Sequence, residues 1–208
     1  MSVMPLSELI DERKRPLPLS VKQYHAMIEN GILLEGSPYE LLDGYIVPKD
    51  RSAAGDKPMT IGLDHVWVVS KLASFSSRLE RLGCHLRTQL PISIPPQSEP
   101  EPDAMIVLGT VDDYRGRNPG PKDVLAVIEV ADSSLSHDRS LKLRIYADCS
   151  IPTYVIINLP DRVVEVYTQP LKGKHRYGRV ETLPPGKSVV FPGAGGRTLS
   201  IPVRRLLP

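Results

Sequence analysis

The chain has 208 residues, 41% of them hydrophobic and 24% charged, enough to bury roughly 70% of the surface its unfolded form exposes, so its core needs no staples. Its two cysteines, Cys84 and Cys149, stand far apart in no CxxC or CxxH spacing, which excludes a disulfide framework or a zinc finger and suits a reduced, cytoplasmic setting. A net charge of +2 is too mild for polyanion binding by bulk charge; no apolar run reaches bilayer-spanning length, and charged residues interrupt the amino terminus where a secretory signal would be apolar, so no membrane partner is expected.

Met1 to Pro18 is rich in charge and proline and reads as an extended arm. Ser20 caps a short helix, Val21 to Asn30, that stops at Gly31. We therefore expect an arm and short helix over 1–35 and a single domain over 36–208. Tyr39 to Val47, YELLDGYIV, reads as a hairpin turning at Asp43-Gly44. Glu40, near that turn, reads by position alone as a surface residue. Lys49 to Gly62 is a long loop of Pro, Gly, Ala and charged residues.

Asp64 opens the longest helix, with Val68, Val69, Leu72, Phe75, Leu79 and Leu82 on one face and Gly83 at its end. Trp67 and Phe75 are assigned to the core, and His65 reads as a helix N-terminal or packing residue. Leu86 to Ile94 alternates apolar and polar side chains as a strand, with Gln89 on the polar face. Pro95 to Pro102 resets the chain, Asp103 opens an apolar strand over Ala104 to Leu108, and Val111 to Asp123 is a polar loop.

Val124 to Val130 reads as a strand buried on both faces. Its only polar side chain is Glu129, whose charge costs several kcal/mol in a core unless a cation or strong hydrogen bonds compensate it. A bound metal ion and Lys142 are the two candidates. Asp138, Lys142 and Tyr146 recur every four residues beside Leu141, Leu143 and Ile145, predicting an amphipathic helix over Asp138 to Asp148. Thr153 to Asn158 and Val163 to Thr168 form a β-hairpin. Tyr177 to Leu183 and Ser188 to Phe191 are short β segments, and Thr198 to Val203 a last edge strand. The class is α/β or α+β. Three basic groups stand out as surface clusters: Arg78, Arg81 and Arg87; Arg115 and Arg117; and Lys172, Lys174, His175, Arg176 and Arg179.

Asp103 and Glu129, each at the end of an apolar strand, are placed to deliver two carboxylates to one spot. Their repulsion is relieved by a divalent ion with oxygen ligands, and such a site serves phosphodiester cleavage. These residues, taken with Tyr39-Glu40-Leu41-Leu42-Asp43-Gly44, His65, Pro102-Asp103, Val127-Ile128-Glu129-Val130, Asp132-Ser133-Ser134-Leu135, Asp138, Arg139, Lys142, Tyr146, Ile151-Pro152 with Tyr154, and Val164-Glu165-Val166-Tyr167, resemble in order and spacing the Uma-two family of restriction endonucleases, within the PD-(D/E)XK nuclease superfamily. The resemblance runs from about Tyr39 to the carboxyl end. It implies a restriction-endonuclease-like mixed sheet flanked by helices, with additional C-terminal strands, and a metal-dependent endonuclease acting on DNA with Mg²⁺ or Mn²⁺. By position, Asp103 and Glu129 would be the metal ligands, Lys142 the catalytic lysine, and Glu40 a further acidic member at the sheet edge. His65, Gln89, Asp132, Asp138 and Tyr146 would be supporting groups. Ala131 stands where the superfamily's simplest pattern has lysine, so Lys142 takes that place from the following helix. That departure and the weak overall basicity motivate an alternative, a non-catalytic nucleic-acid-binding or assembly module that keeps the nuclease fold. A homodimer is expected, since two related sites cut both strands of a duplex most simply.

Overall fold

The computed structural model describes residues 17–34, 36–49 and 62–208. Apart from their end residues, the expected arm Met1 to Pro18 and loop Lys49 to Gly62 lie outside the described residues.

Helix α1, Val21–Glu29, is opened by Ser20, whose Oγ accepts the Gln23 N–H at 3.2 Å while the Gln23 side chain returns to the Ser20 N–H. Strands β1, Tyr39–Leu42, and β2, Tyr45–Pro48, form the expected hairpin. Asp43 (φ 50°) and Gly44 (φ 84°) occupy its two-residue turn, the backbone that an Asp-Gly pair favours.

The expected long helix is two. Helix α2, Leu63–Ala73, follows Gly62 and so begins one residue before Asp64; helix α3 covers Ser76–Glu80. Between them the Ser74 and Ser76 hydroxyls donate to the carbonyls of Lys71 and Ala73 at 2.6 and 2.8 Å, competing with the helical ladder. Phe75 is buried, as expected, but Trp67 is 41% exposed and not a core residue: α2 turns Val68 and Leu72 to the sheet, and Trp67 faces away from it.

Six strands make the main sheet in the order β3 (Cys84–Thr88), β4 (Ala104–Leu108), β5 (Val124–Ala131), β6 (Thr153–Asn158), β7 (Val163–Leu171), β8 (Arg176–Leu183). All neighbours are antiparallel except β5 and β6. Strand β3 is shorter than the alternation of Leu86 to Ile94 suggests, because Gln89 turns to φ 52° and takes the chain off the sheet. Parallel β5 and β6 need a crossover, which helix α4 provides over 135–148. It comprises an α turn Leu135–His137, a π-helical turn Asp138–Lys142 and an α-helical segment Leu143–Asp148, so it starts three residues before the predicted Asp138.

The last strands depart from expectation in place rather than in kind. Strands β9, Ser188–Pro192, and β10, Thr198–Pro202, pair with each other and not with the edge of the main sheet. They join α2 and α3 in covering one sheet face, where Val68, Leu72, Phe75, Phe191 and Ile201 pack on Ile106, Ile128 and Val155. The other face carries α4, Leu42 of the β1–β2 hairpin, and the rings of Tyr146, Tyr154, Tyr167 and Tyr177. The architecture is a mixed α+β fold around a six-stranded mixed sheet.

Candidate active site

Asp103 precedes β4, and Glu129 lies near the end of β5, on the face that also carries Val127 and α4. The antiparallel register sets the two side by side, and they are cross-tied. The Asp103 N–H donates to Glu129 Oε2 at 3.4 Å, and the Val130 N–H donates to Asp103 Oδ2 at 2.8 Å. Glu129 is 3% exposed, so its compensation is visible: Lys142 Nζ lies 3.1 Å and the Tyr146 hydroxyl 3.0 Å from Oε1. Lys142 Nζ also lies 3.4 Å from Glu40 Oε1. Of the two candidate cations, Lys142 is thus in contact. One ammonium bridges a carboxylate of the main sheet and one of the β1–β2 hairpin.

Glu40 sits neither on the surface nor at the edge of the main sheet. It is buried on β1, the hairpin that closes over the site. Its Oε2 accepts the Glu101 N–H at 2.9 Å, the Glu99 N–H bonds to the Leu41 carbonyl at 2.7 Å, and Asp43 pairs with Arg144 of α4. These links fix the hairpin to the segment leading into Asp103 and to the crossover helix.

His65 Nε2 contacts Asp103 Oδ1 at 3.0 Å, more than the packing role its position suggested. Asp138 is buried and accepts the Ser134 hydroxyl at 2.6 Å. Gln89 and Asp132 are not brought into the cleft. Gln89 is exposed in the turn after β3, where only its N–H reaches the site, bonding to the Asp103 carbonyl at 3.1 Å. Asp132, half-buried after β5, acts on His65 as a charge at a distance.

The resulting cleft spans about 430 Å³, open solvent at its mouth included. Five carboxylates line it, Glu40, Glu101, Asp103, Glu129 and Asp138, against Lys49, Lys142, His65 and His137. Burial, helped by Asp138, Asp103 and Glu40, pushes the Glu129 carboxyl well above the usual range, while Lys142 pulls it down. Burial pushes Asp138 up too. Lys142 itself feels a large opposing cost of burial, yet Glu129, Glu40, Asp138 and Asp103 hold it above an ordinary lysine, so it stays an ammonium. For His65 burial works against protonation, but the Asp103 contact outweighs it and the ring is held above its usual value.

Three contributors were not singled out from sequence. Lys49 pairs with Glu101, whose i, i+2 spacing from Asp103 was the available signal. Tyr154, which belongs to the resemblance only as part of its motif, donates its hydroxyl at 3.1 Å to the Asp138 carbonyl, inside the π turn. Arg139, quoted above only as part of a motif, is clamped by the buried Glu165.

A mixed sheet that gathers acidic side chains from two adjacent strands, with a lysine from the crossover helix, defines the restriction-endonuclease-like class. The crystal structure of a “putative nuclease belonging to DUF820” from Anabaena variabilis matches this fold with a TM-score of 0.58 at 14% identity, covering 91% of this chain and 97% of that one. The chain belongs to the Uma2 family, described as “Putative restriction endonuclease”, which matches over residues 21–203. No curated protein sequence matches it. Family membership assigns the protein to the nuclease class, whose restriction-endonuclease-like members generally use divalent metal ions. Among the described residues, no helix is long and apolar enough to cross a membrane.

Proposed function

We propose that the protein is a metal-dependent endonuclease that hydrolyses phosphodiester bonds in DNA, with Mg²⁺ or Mn²⁺ held by Asp103 and Glu129 and with Lys142 and Glu40 completing the catalytic set. The supporting observation is convergence: two strands, a hairpin and the crossover helix bring these four side chains to one cleft. Among the described residues no group of three or more His, Cys, Asp or Glu side chains stands ready as a metal shell. Two carboxylates completed by water are nonetheless a sufficient set for Mg²⁺, and the cleft's oxygen donors and excess of carboxylates over lysines fit a hard cation. When bound, the metal supplies polarisation of the phosphate and a more acidic water.

The chain's own groups do the rest. Lys142 brings a fixed positive charge to where negative charge builds on the phosphate oxygens. Glu40 and Glu129 together set where that ammonium points, and Tyr146 and His65 orient the carboxylates of Glu129 and Asp103. A homodimer, one copy per strand, is the assembly that suits duplex cleavage. Plasmid nicking with Mg²⁺ or Mn²⁺ tests the reading. Asp103→Ala and Lys142→Ala should each lose about 100-fold or more in rate, and activity equal to wild type in both would overturn it.

One observation favours a non-catalytic module instead: Glu129 is already satisfied by Lys142, Tyr146 and the Asp103 N–H. A closed set of this kind holds a fold without needing an ion. Titration with Mn²⁺ separates the readings: a rise in melting temperature in wild type that Glu129→Ala abolishes excludes the module.

A further inference from the structure

One member of each of two basic clusters that lie apart in the sequence, Arg87 and Arg115, meets the other at an edge of the main sheet. Strand β3 pairs only with β4 in that sheet. Along it runs a second, shallow cleft, of about 900 Å³ with its open solvent included, whose lining includes His85, Arg87, Asp112, Tyr114 and Arg115. Arg87 is half-buried. Among the described residues its Nε has no partner, and its Nη2 reaches only Asn118 Oδ1, at 3.5 Å. Burial correspondingly weakens its hold on the proton. Arg115 is exposed at the cleft, and among the described residues neither guanidinium pairs with Asp112 or any other carboxylate. Arg117, in contrast, is committed: it pairs with Asp123 at 2.7 Å and stacks over Tyr114 at 4.7 Å.

His85, on the same strand face as Arg87 and 4% exposed, is tied through Nδ1 to the Gly109 carbonyl at 3.0 Å; among the described residues its Nε2 is unpartnered. A half-desolvated guanidinium without an anion is costly, and a phosphate offsets that cost with charge-assisted hydrogen bonds. The cleft also neighbours the acidic one by way of a third. The acidic cleft shares Lys49 and Glu101 with an intermediate cleft, which in turn shares Leu90 with this one.

We propose that the β3-edge cleft holds the sugar-phosphate backbone of the DNA strand flanking the scissile bond, with Arg87 and Arg115 pairing to its phosphate oxygens. The proposal rests on the nuclease reading above. It answers an electrostatic difficulty of that reading: a cleft lined mainly by carboxylates repels a phosphate strand, so unpaired guanidiniums further along hold the strand where the carboxylates do not.

Filter binding of a duplex oligonucleotide to the full chain, in EDTA and across a range of salt, tests it. Wild type should bind. Arg115→Ala should weaken binding several-fold and lower the slope of log affinity against log salt by about one; Arg115→Glu should weaken it further, at an unchanged melting temperature because the residue is exposed. Arg87→Gln should act in the same direction. Unchanged affinity and slope in Arg115→Glu, or no binding by wild type, overturns the proposal. Hydrolysis of bis(p-nitrophenyl) phosphate with Mn²⁺ reads the chemistry separately. Retained hydrolysis with binding indifferent to Arg115 sinks the cleft alone, whereas absent hydrolysis with Arg115-dependent binding sinks the nuclease reading and leaves the cleft as a DNA-backbone site with no scissile bond beside it.

Discussion

Glu165 on β7 is buried, yet every polar group around it donates to it. Arg139 grips it through Nε at 3.0 Å and through Nη2; the Tyr167 hydroxyl at 2.6 Å and the Asn158 amide at 2.9 Å complete the set. Burial alone would raise its carboxyl, but these donors together hold it below the usual range. A carboxylate lowered in the folded state adds stability that is present above its unfolded value and lost as pH falls through the folded one. Urea melts across acid pH should therefore show Glu165→Gln less stable than wild type at neutral pH, by about 2 kcal/mol, with the gap closing below pH ~4. Lys142 is a sharper case. Lys142→Met leaves Glu129 and Glu40 buried without their shared ammonium, and the same melts should show a loss of about 3 kcal/mol or more at neutral pH.

At the scale of elements, the β1–β2 hairpin and helix α4 position the site, and they were unequally legible. The hairpin was readable because Asp43-Gly44 has a backbone requirement that few dipeptides meet. A Cβ on Gly44 would lie 2.3 Å from Pro18 Cβ, at a φ of +84°. Gly44→Ala should thus cost about 2 kcal/mol in a denaturant titration, and should slow any Glu40-dependent cleavage. The π turn was hidden, since the i, i+4 spacing of Asp138 and Lys142 suits an ordinary α-helix equally well. What the sequence could not display is the Tyr154 hydroxyl on the Asp138 carbonyl, which the Leu143 N–H also bonds. Tyr154→Phe should cost about 1 kcal/mol in the same titration. The burial of Glu40 was equally hidden, because it depends on the Glu101 N–H and on Lys142, residues far along the chain.

For the molecule as a whole, the order of strands through the centre followed from periodicity and turns, because each of those signals is local. Which strands pair is not local, and β9 and β10 show the difference: their alternation marks them as strands, but only packing decides that they cap a sheet face and not extend its edge. Phe191 anchors that cap against Leu79 and Ile106 in the larger core cluster. Phe191→Ala should destabilise by about 4 kcal/mol, enough in calorimetry to remove much of the margin of an ordinary domain.

The chain's one tryptophan, Trp67, half-exposed on α2 with Lys71 Nζ 5.6 Å from its ring and two residues beyond His65, has a practical consequence. Its indole is already 41% exposed in the folded chain, so denaturation should redden its fluorescence less than it would that of a buried indole.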